Sequence, residues 1–184
     1  MVGVFGRLSR HVWVKRWYSI LWAPWRMKYI KQAGSREGCV FCEAPSMGDD
    51  AKALIVYRGS LSYVILNKYP YNSGHIMVTP YRHVAELEDL TMDEIVEMAK
   101  LVRASVKALK RVYAPHGFNI GVNIGEAAGA GIAGHFHIHI VPRWRGDSNF
   151  MLTVGGTKVI PESLEDTFKK LKPAVEEEAR KEGV

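Results

Sequence analysis

Three histidines at alternate positions, His135, His137 and His139 in the run HFHIHIV, are the residues of this chain best arranged for chemistry. Successive side chains on a strand alternate faces, so the three imidazoles share one side while Phe136, Ile138 and Ile140 bury the other. At a rise of about 3.3 Å per residue, neighbouring rings sit roughly 6.6 Å apart. A lone histidine there reads as a satisfied core residue, but three make a polar stripe that packing does not explain. Two chemistries suit such a stripe. Histidines at alternate positions ligate catalytic metals, with three protein ligands leaving one position open. Alternatively, a neutral imidazole with a pKa near about 6.5 is a nucleophile at neutral pH. The preceding stretch, GEAAGAGIAG, favours phosphate chemistry, because its small residues leave backbone N–H groups free to cradle an anion. Gly129 and Gly131 are the candidate backbone contacts in that loop.

A second constellation is GCVFC, with Cys39 and Cys42 three positions apart. Two cysteines are too few for a disulfide framework, and the spacing suggests a metal or redox pair. A structural zinc site needs four ligands of this type, so the pair is half a site.

The elements that must carry these residues can be read from periodicity. After a loop around GSREGCVFCEAPSMGDD come three β-rich runs bounded by turn residues, ALIVYRG, LSYVILN and GHIMVTPY. Thr91 and Glu94 form a capping box that opens a helix. Ile95, Met98, Val102, Val106, Leu109 and Tyr113 then recur at helical spacing until Pro115 and Gly117. The run FNIGVNI alternates as a strand, with Phe118, Ile120, Val122 and Ile124 on one face and Asn119 and Asn123 on the other. HFHIHIV is the next strand. Residues 161–182 form a C-terminal helix with a stripe of Leu164, Phe168, Leu171 and Val175. The order β-β-β-α-β-β-α predicts an α+β domain on an antiparallel sheet, with one long helix and a C-terminal helix.

HFHIHIV, with its alternation of histidine and apolar residues, resembles the signature of the histidine-triad superfamily of nucleotide hydrolases and transferases. LNKYPYNSGHIMVTPYRHV is similar to that family's strand-turn-strand segment, and GVNIGEAAG to its phosphate loop. HIVPRW and WAPWR resemble the fragile-histidine-triad and diadenosine tetraphosphate phosphorylase branch. The resemblance implies that His137 is a nucleophile forming a nucleotidyl-histidine intermediate and that His139 holds the α-phosphate. It makes His75 the buried histidine whose bond orients the nucleophile, Asn67 a ribose contact and Asn123 a phosphate contact. It also completes the cysteine half-site with His83 and His135, giving a structural zinc. Magnesium accompanies a polyphosphate substrate, and the family's two-fold pairing implies a homodimer. In many relatives a Gln or Ser just before the triad serves the leaving group. Here Ala127 to Gly134 contains no polar side chain.

The net charge of +6 is unevenly spread over the 184 residues. Residues 1–32 hold seven Lys or Arg, no acid, and four of the five tryptophans: Trp13, Trp17, Trp22 and Trp25. The chain is thus expected to comprise a basic tryptophan-rich arm (1–32), the histidine-triad domain (33–160) and a C-terminal helix packed on it (161–184). With no secretory pattern and no apolar run near the roughly 20 residues of a membrane span, the expected location is the cytoplasm. The expected activity is cleavage at the α-phosphate of a dinucleoside polyphosphate or related purine nucleotide, by phosphorolysis or hydrolysis. Two rivals are a nucleotide-binding regulator with slow turnover and a nucleic-acid end-processing enzyme guided by the basic arm.

Overall fold

The computed structural model describes residues 38–184, and the expectations for the arm lie outside them. Five strands form one antiparallel sheet: β1 (Ile55–Arg58), β2 (Ser62–Leu66), β3 (Ile76–Pro80), β4 (Gly117–Gly121) and β5 (Ile138–Arg143). Their spatial order is β1-β2-β3-β5-β4. Every residue of β2 and β3 is buried, which is why these runs read as continuously apolar. Their side chains alternate between two apolar clusters. Val64, Leu66, Ile76 and Val78 face the helices, whereas Tyr63, Ile65 and Met77 face the opposite side with Phe41, Ala44, Ala53 and Ile55.

The long helix is Met92–Tyr113, and both bonds of the Thr91–Glu94 capping box form. It stops at Ala114, whose φ of 44° is left-handed, just before Pro115. The C-terminal helix is Leu164–Lys181. Its Leu171, Ala174, Val175 and Ala179 enter the same cluster as Met98, Leu101 and Leu109 of the long helix. The stretch read as a loop around Cys39 is more ordered than expected. It folds into two short helices, Val40–Glu43 and Asp50–Ala53. Cys39 O accepts the amides of Cys42 and Glu43, and the Asp49 carboxylate caps the second helix from Ala51 and Lys52. In chain order these helices are α1 (Val40–Glu43), α2 (Asp50–Ala53), α3 (Met92–Tyr113), α4 (Phe150–Thr153) and α5 (Leu164–Lys181).

Two strands are shorter than the sequence implies. HFHIHIV was expected to be a strand throughout, yet β5 begins only at Ile138. The ladder pairs Val78 with Ile138, so two residues further on Pro80 would stand opposite Phe136. Pro80 has no N–H to donate, and the ladder ends there. Substitutes hold Phe136 instead: its carbonyl accepts from Thr79 Oγ1 at 2.8 Å, and its N–H donates to Val84 O at 2.6 Å. Likewise FNIGVNI pairs only as far as Gly121. Phe118 and Val122 pack towards the core, but Ile120 is 49% exposed and Ile124 38%, because β4 is an outer strand.

Candidate active site

The alternation read from HFHIHIV survives the early end of the ladder. Phe136, Ile138 and Ile140 pack with the helix-side cluster, leaving the three histidines on the other face. One row across that face runs Ile55, Ile65, Met77, His139 and Gly121. The rings of His137 and His139 approach to 4.8 Å between centroids, edge to face, nearer than the strand rise alone suggests. His135 and His137 are buried and His139 is half-buried.

Backbone groups fix which nitrogen of each ring carries its proton, since a carbonyl only accepts and an amide only donates. His137 Nδ1 lies 2.8 Å from His135 O, so Nδ1 is the protonated nitrogen and Nε2 keeps a free lone pair. His75 Nδ1 accepts the Tyr71 amide at 3.1 Å, and the Asn67 amide nitrogen lies 3.4 Å from the same atom. The His75 proton therefore sits on Nε2, 3.0 Å from His139 Nδ1. His139 accepts there and holds its own proton on Nε2. The face thus offers a bare nitrogen on His137 beside an N–H donor on His139. Burial lowers the pKa of all these rings, His75 to about 3 and His139 to about 4, where neighbouring histidines add to the effect. All three are neutral at pH 7.

One expected contact is corrected by this geometry. His75 was expected to orient His137, but its bond runs to His139. The nucleophile candidate is oriented by a main-chain carbonyl instead. Asn67 caps the turn after β2, accepting the Tyr69 amide at 2.9 Å while its other end faces His75. Asn123 lies just past β4, where the β4–β5 register continued by two residues would set it opposite His137. Gly129 is exposed with a φ of 85°, closing the turn Glu126–Ala128, and Gly131 is exposed beyond it. Arg143, which could have offered charge to an anion, is committed to Asp147 at 2.7 and 3.0 Å and to Asn119 at 2.6 Å. Two aromatic residues escaped the sequence reading. Phe41 packs on His135 and His137, and Tyr71 packs on His75 at 4.6 Å. Their only signal was adjacency, Phe41 lying between the two cysteines and Tyr71 lying four residues before His75.

Beside this face the four residues of the second constellation meet. The ligand atoms of Cys39, Cys42, His83 and His135 all lie within 4.8 Å of one another, a group that could hold a metal ion. His135 Nδ1 is 3.3 Å from Cys39 Sγ and 3.5 Å from Cys42 Sγ, and His83 Nδ1 is 3.4 Å from Cys42 Sγ. The donor set fits a cation well. Pro80 O, left over at the end of β3, takes the Nε2 proton of His135 at 3.0 Å, which turns a bare Nδ1 towards the thiols.

A five-stranded antiparallel sheet with alternate histidines in a row beside a fourth histidine defines a histidine-triad protein. The chain belongs to that family: residues 49–146 match the HIT domain. It is 46% identical to the AP-4-A phosphorylase of Mycobacterium tuberculosis over 155 residues, 80% of this chain and 79% of that protein. It is 36% identical over 93 residues, half of each chain, to the asymmetrical bis(5'-nucleosyl)-tetraphosphatase of Schizosaccharomyces pombe. Among solved structures, a Zn-bound histidine triad family protein from Mycobacterium smegmatis superposes with a TM-score of 0.61 at 28% identity. That likeness covers 79% of this chain and 96% of the other.

Proposed function

We propose that this protein is a phosphorylase of dinucleoside polyphosphates, with His137 as its nucleophile. The observation that supports this most is the pairing of a bare Nε2 on His137 with an N–H on the neighbouring His139 ring. His137 Nε2 attacks the α-phosphorus of diadenosine tetraphosphate, forming a P–N bond as the bridging P–O bond breaks and ATP leaves. His139 Nε2–H and the amides around Gly129 and Gly131 stabilise the non-bridging oxygens. Asn123 contacts the phosphate and Asn67 the ribose. Inorganic phosphate then attacks the nucleotidyl-histidine, returns the electron pair to Nε2 and leaves as ADP. The likeness to an AP-4-A phosphorylase over four-fifths of the chain favours phosphate over water as acceptor.

Cys39, Cys42, His83 and His135 would hold zinc, which supplies a structural cross-link between α1 and the sheet. Magnesium accompanies the polyphosphate rather than the protein. The protein works as a homodimer on this reading, as the two-fold pairing of its family implies. No described helix is long and apolar enough to cross a membrane, in keeping with work in the cytoplasm. The test is product analysis on diadenosine tetraphosphate with and without phosphate. ADP plus ATP, formed only with phosphate, is expected. AMP plus ATP, unchanged by phosphate, would make the protein a hydrolase.

A further inference from the structure

The segment CVFC carries a residue that neither the metal site nor the proposed chemistry uses. Phe41 stands between the two cysteines on α1 and is 2% exposed. Its ring lies 5.2 Å from the ring of His135 and 4.8 Å from that of His137, tilted by 50° and 38°. The Phe41 carbonyl accepts the hydroxyl of the fully buried Tyr63 on β2 at 2.5 Å, which ties α1 to the sheet. Ile55, Ile65 and Met77 belong to the same apolar cluster.

The bond from Nδ1 to His135 O fixes one point of the His137 ring. It leaves the tilt about that bond open, and the tilt sets where the Nε2 lone pair aims. A flat ring packed on the imidazole removes this freedom, and in-line attack is sensitive to displacements of about 1 Å. We propose that Phe41 is a positioning residue for His137, through which the cysteine–histidine cluster bears on the chemistry. Both supports of the nucleophile then come from ligand segments. The accepting carbonyl belongs to His135, and the packed ring lies between Cys39 and Cys42. The inference rests on His137 being the nucleophile, and the experiment separates the two ideas.

Phe41→Leu and Phe41→Met are made in the full chain loaded with zinc, with Ile55→Val as a control in the same cluster. Turnover of diadenosine tetraphosphate with phosphate is measured beside the proton NMR signal of the His137 ring. A cobalt-loaded sample of each variant reports by its thiolate absorption whether the four-ligand cluster is intact. The expected result is a kcat lower by about tenfold or more with KM changed less than about twofold. The His137 signal loses the ring-current shift of Phe41, and the cobalt spectrum stays unchanged. Ile55→Val keeps wild-type kcat at reduced stability. Unchanged kcat, an unmoved His137 signal, or an equal fall in Ile55→Val would overturn the proposal. Stripping zinc from the wild type gives a reading that needs no variant to fold: the same His137 signal must move, and a static one overturns the link to the cluster. Wild-type turnover in His137→Asn would instead sink the nucleophile reading beneath both.

Discussion

His137 and His139 sit two residues apart in one segment, yet different elements hold their rings. On the cluster side, His137 is bonded to a main-chain carbonyl and covered by Phe41 from α1. On the other side, His139 is held by a relay from the turn between β2 and β3: the main-chain amide of Tyr71, then the His75 ring. The first device is rigid and exposes a lone pair; the second delivers a proton. One residue type becomes an attacking group or a donor according to the group facing its Nδ1. A carbonyl at Nδ1 frees Nε2, and an N–H at Nδ1 loads it.

The largest effect expected from breaking this contrast comes from the attacking side. His137→Asn should lower turnover by about 10⁴-fold or more while nucleotide affinity stays within a few-fold, because no other group can form the covalent intermediate. Single-turnover kinetics and calorimetric titration with a nucleotide would check both halves. A labelled nucleotide quenched without acid should remain on wild-type protein only, since a P–N bond to histidine is acid-labile. Loss of nucleotide binding in step with turnover would show that His137 holds substrate rather than attacks it.

Metal removal comes next, and it acts on the cluster side alone. Dialysis against a chelator should cost about 3 kcal/mol or more in urea unfolding, with one zinc per chain recovered from the loaded protein. The relay around His75 shares no ligand with the cluster. The hydrogen-exchange rate of the Tyr71 amide should therefore stay unchanged in the stripped protein. Equal loosening on both sides would erase the distinction drawn between them.

The donor side is tested by His75→Phe, which keeps an aromatic body beside Tyr71 but removes the proton given to His139 Nδ1. Turnover should fall by about 30-fold, between the loss of a general hydrogen-bond donor and the loss of a nucleophile. The covalent intermediate should still form, only more slowly. If it formed at the wild-type rate, the relay would be structural.

Much of this was legible in the residues, and the remainder was not for physical reasons. Alternation identified the shared face of His135, His137 and His139, and the capping box at Thr91 and Glu94 marked the start of α3 to the residue. The failures trace to partners distant in sequence. Where β5 begins depends on Pro80, which no local pattern around His135 reports. Which histidine His75 serves depends on the β3–β5 register, which sets Met77 opposite His139 and His75 diagonal to it, so likeness alone aimed it at the wrong ring. Phe41 escaped notice, because nothing near it in sequence says that its ring will pack on two imidazoles.

The smallest effect probes how the cluster side is anchored to the helix layer. Arg82, next to His83 of the cluster, bonds Glu94 at 2.8 and 2.7 Å and the Asp89 carbonyl at 2.8 Å. Glu94 also takes the Thr91 amide at 2.8 Å, so one buried carboxylate serves both the α3 cap and the His83 segment. The Arg82 guanidinium and the Thr91 bonds hold its pKa at about 2, below the ordinary 4.5. A depressed carboxylate stabilises the fold at pH above about 4.5 and loses that contribution as pH falls through about 2. The shift sets a ceiling of about 3 kcal/mol. Arg82 is 50% exposed and Gln keeps some of the bonds, so Glu94→Gln should cost about 1.5 kcal/mol at pH 7. Urea unfolding of metal-free wild type and variant between pH 7 and pH 2 checks the sign. The gap should stay constant down to about pH 4.5 and close towards pH 2, because the variant has no carboxylate there to protonate. Other acid-titrating groups are common to both proteins and cancel in the difference. A gap that widens on acidification would mean that the charge on Glu94 opposes folding. The His83 segment would then be held by packing alone.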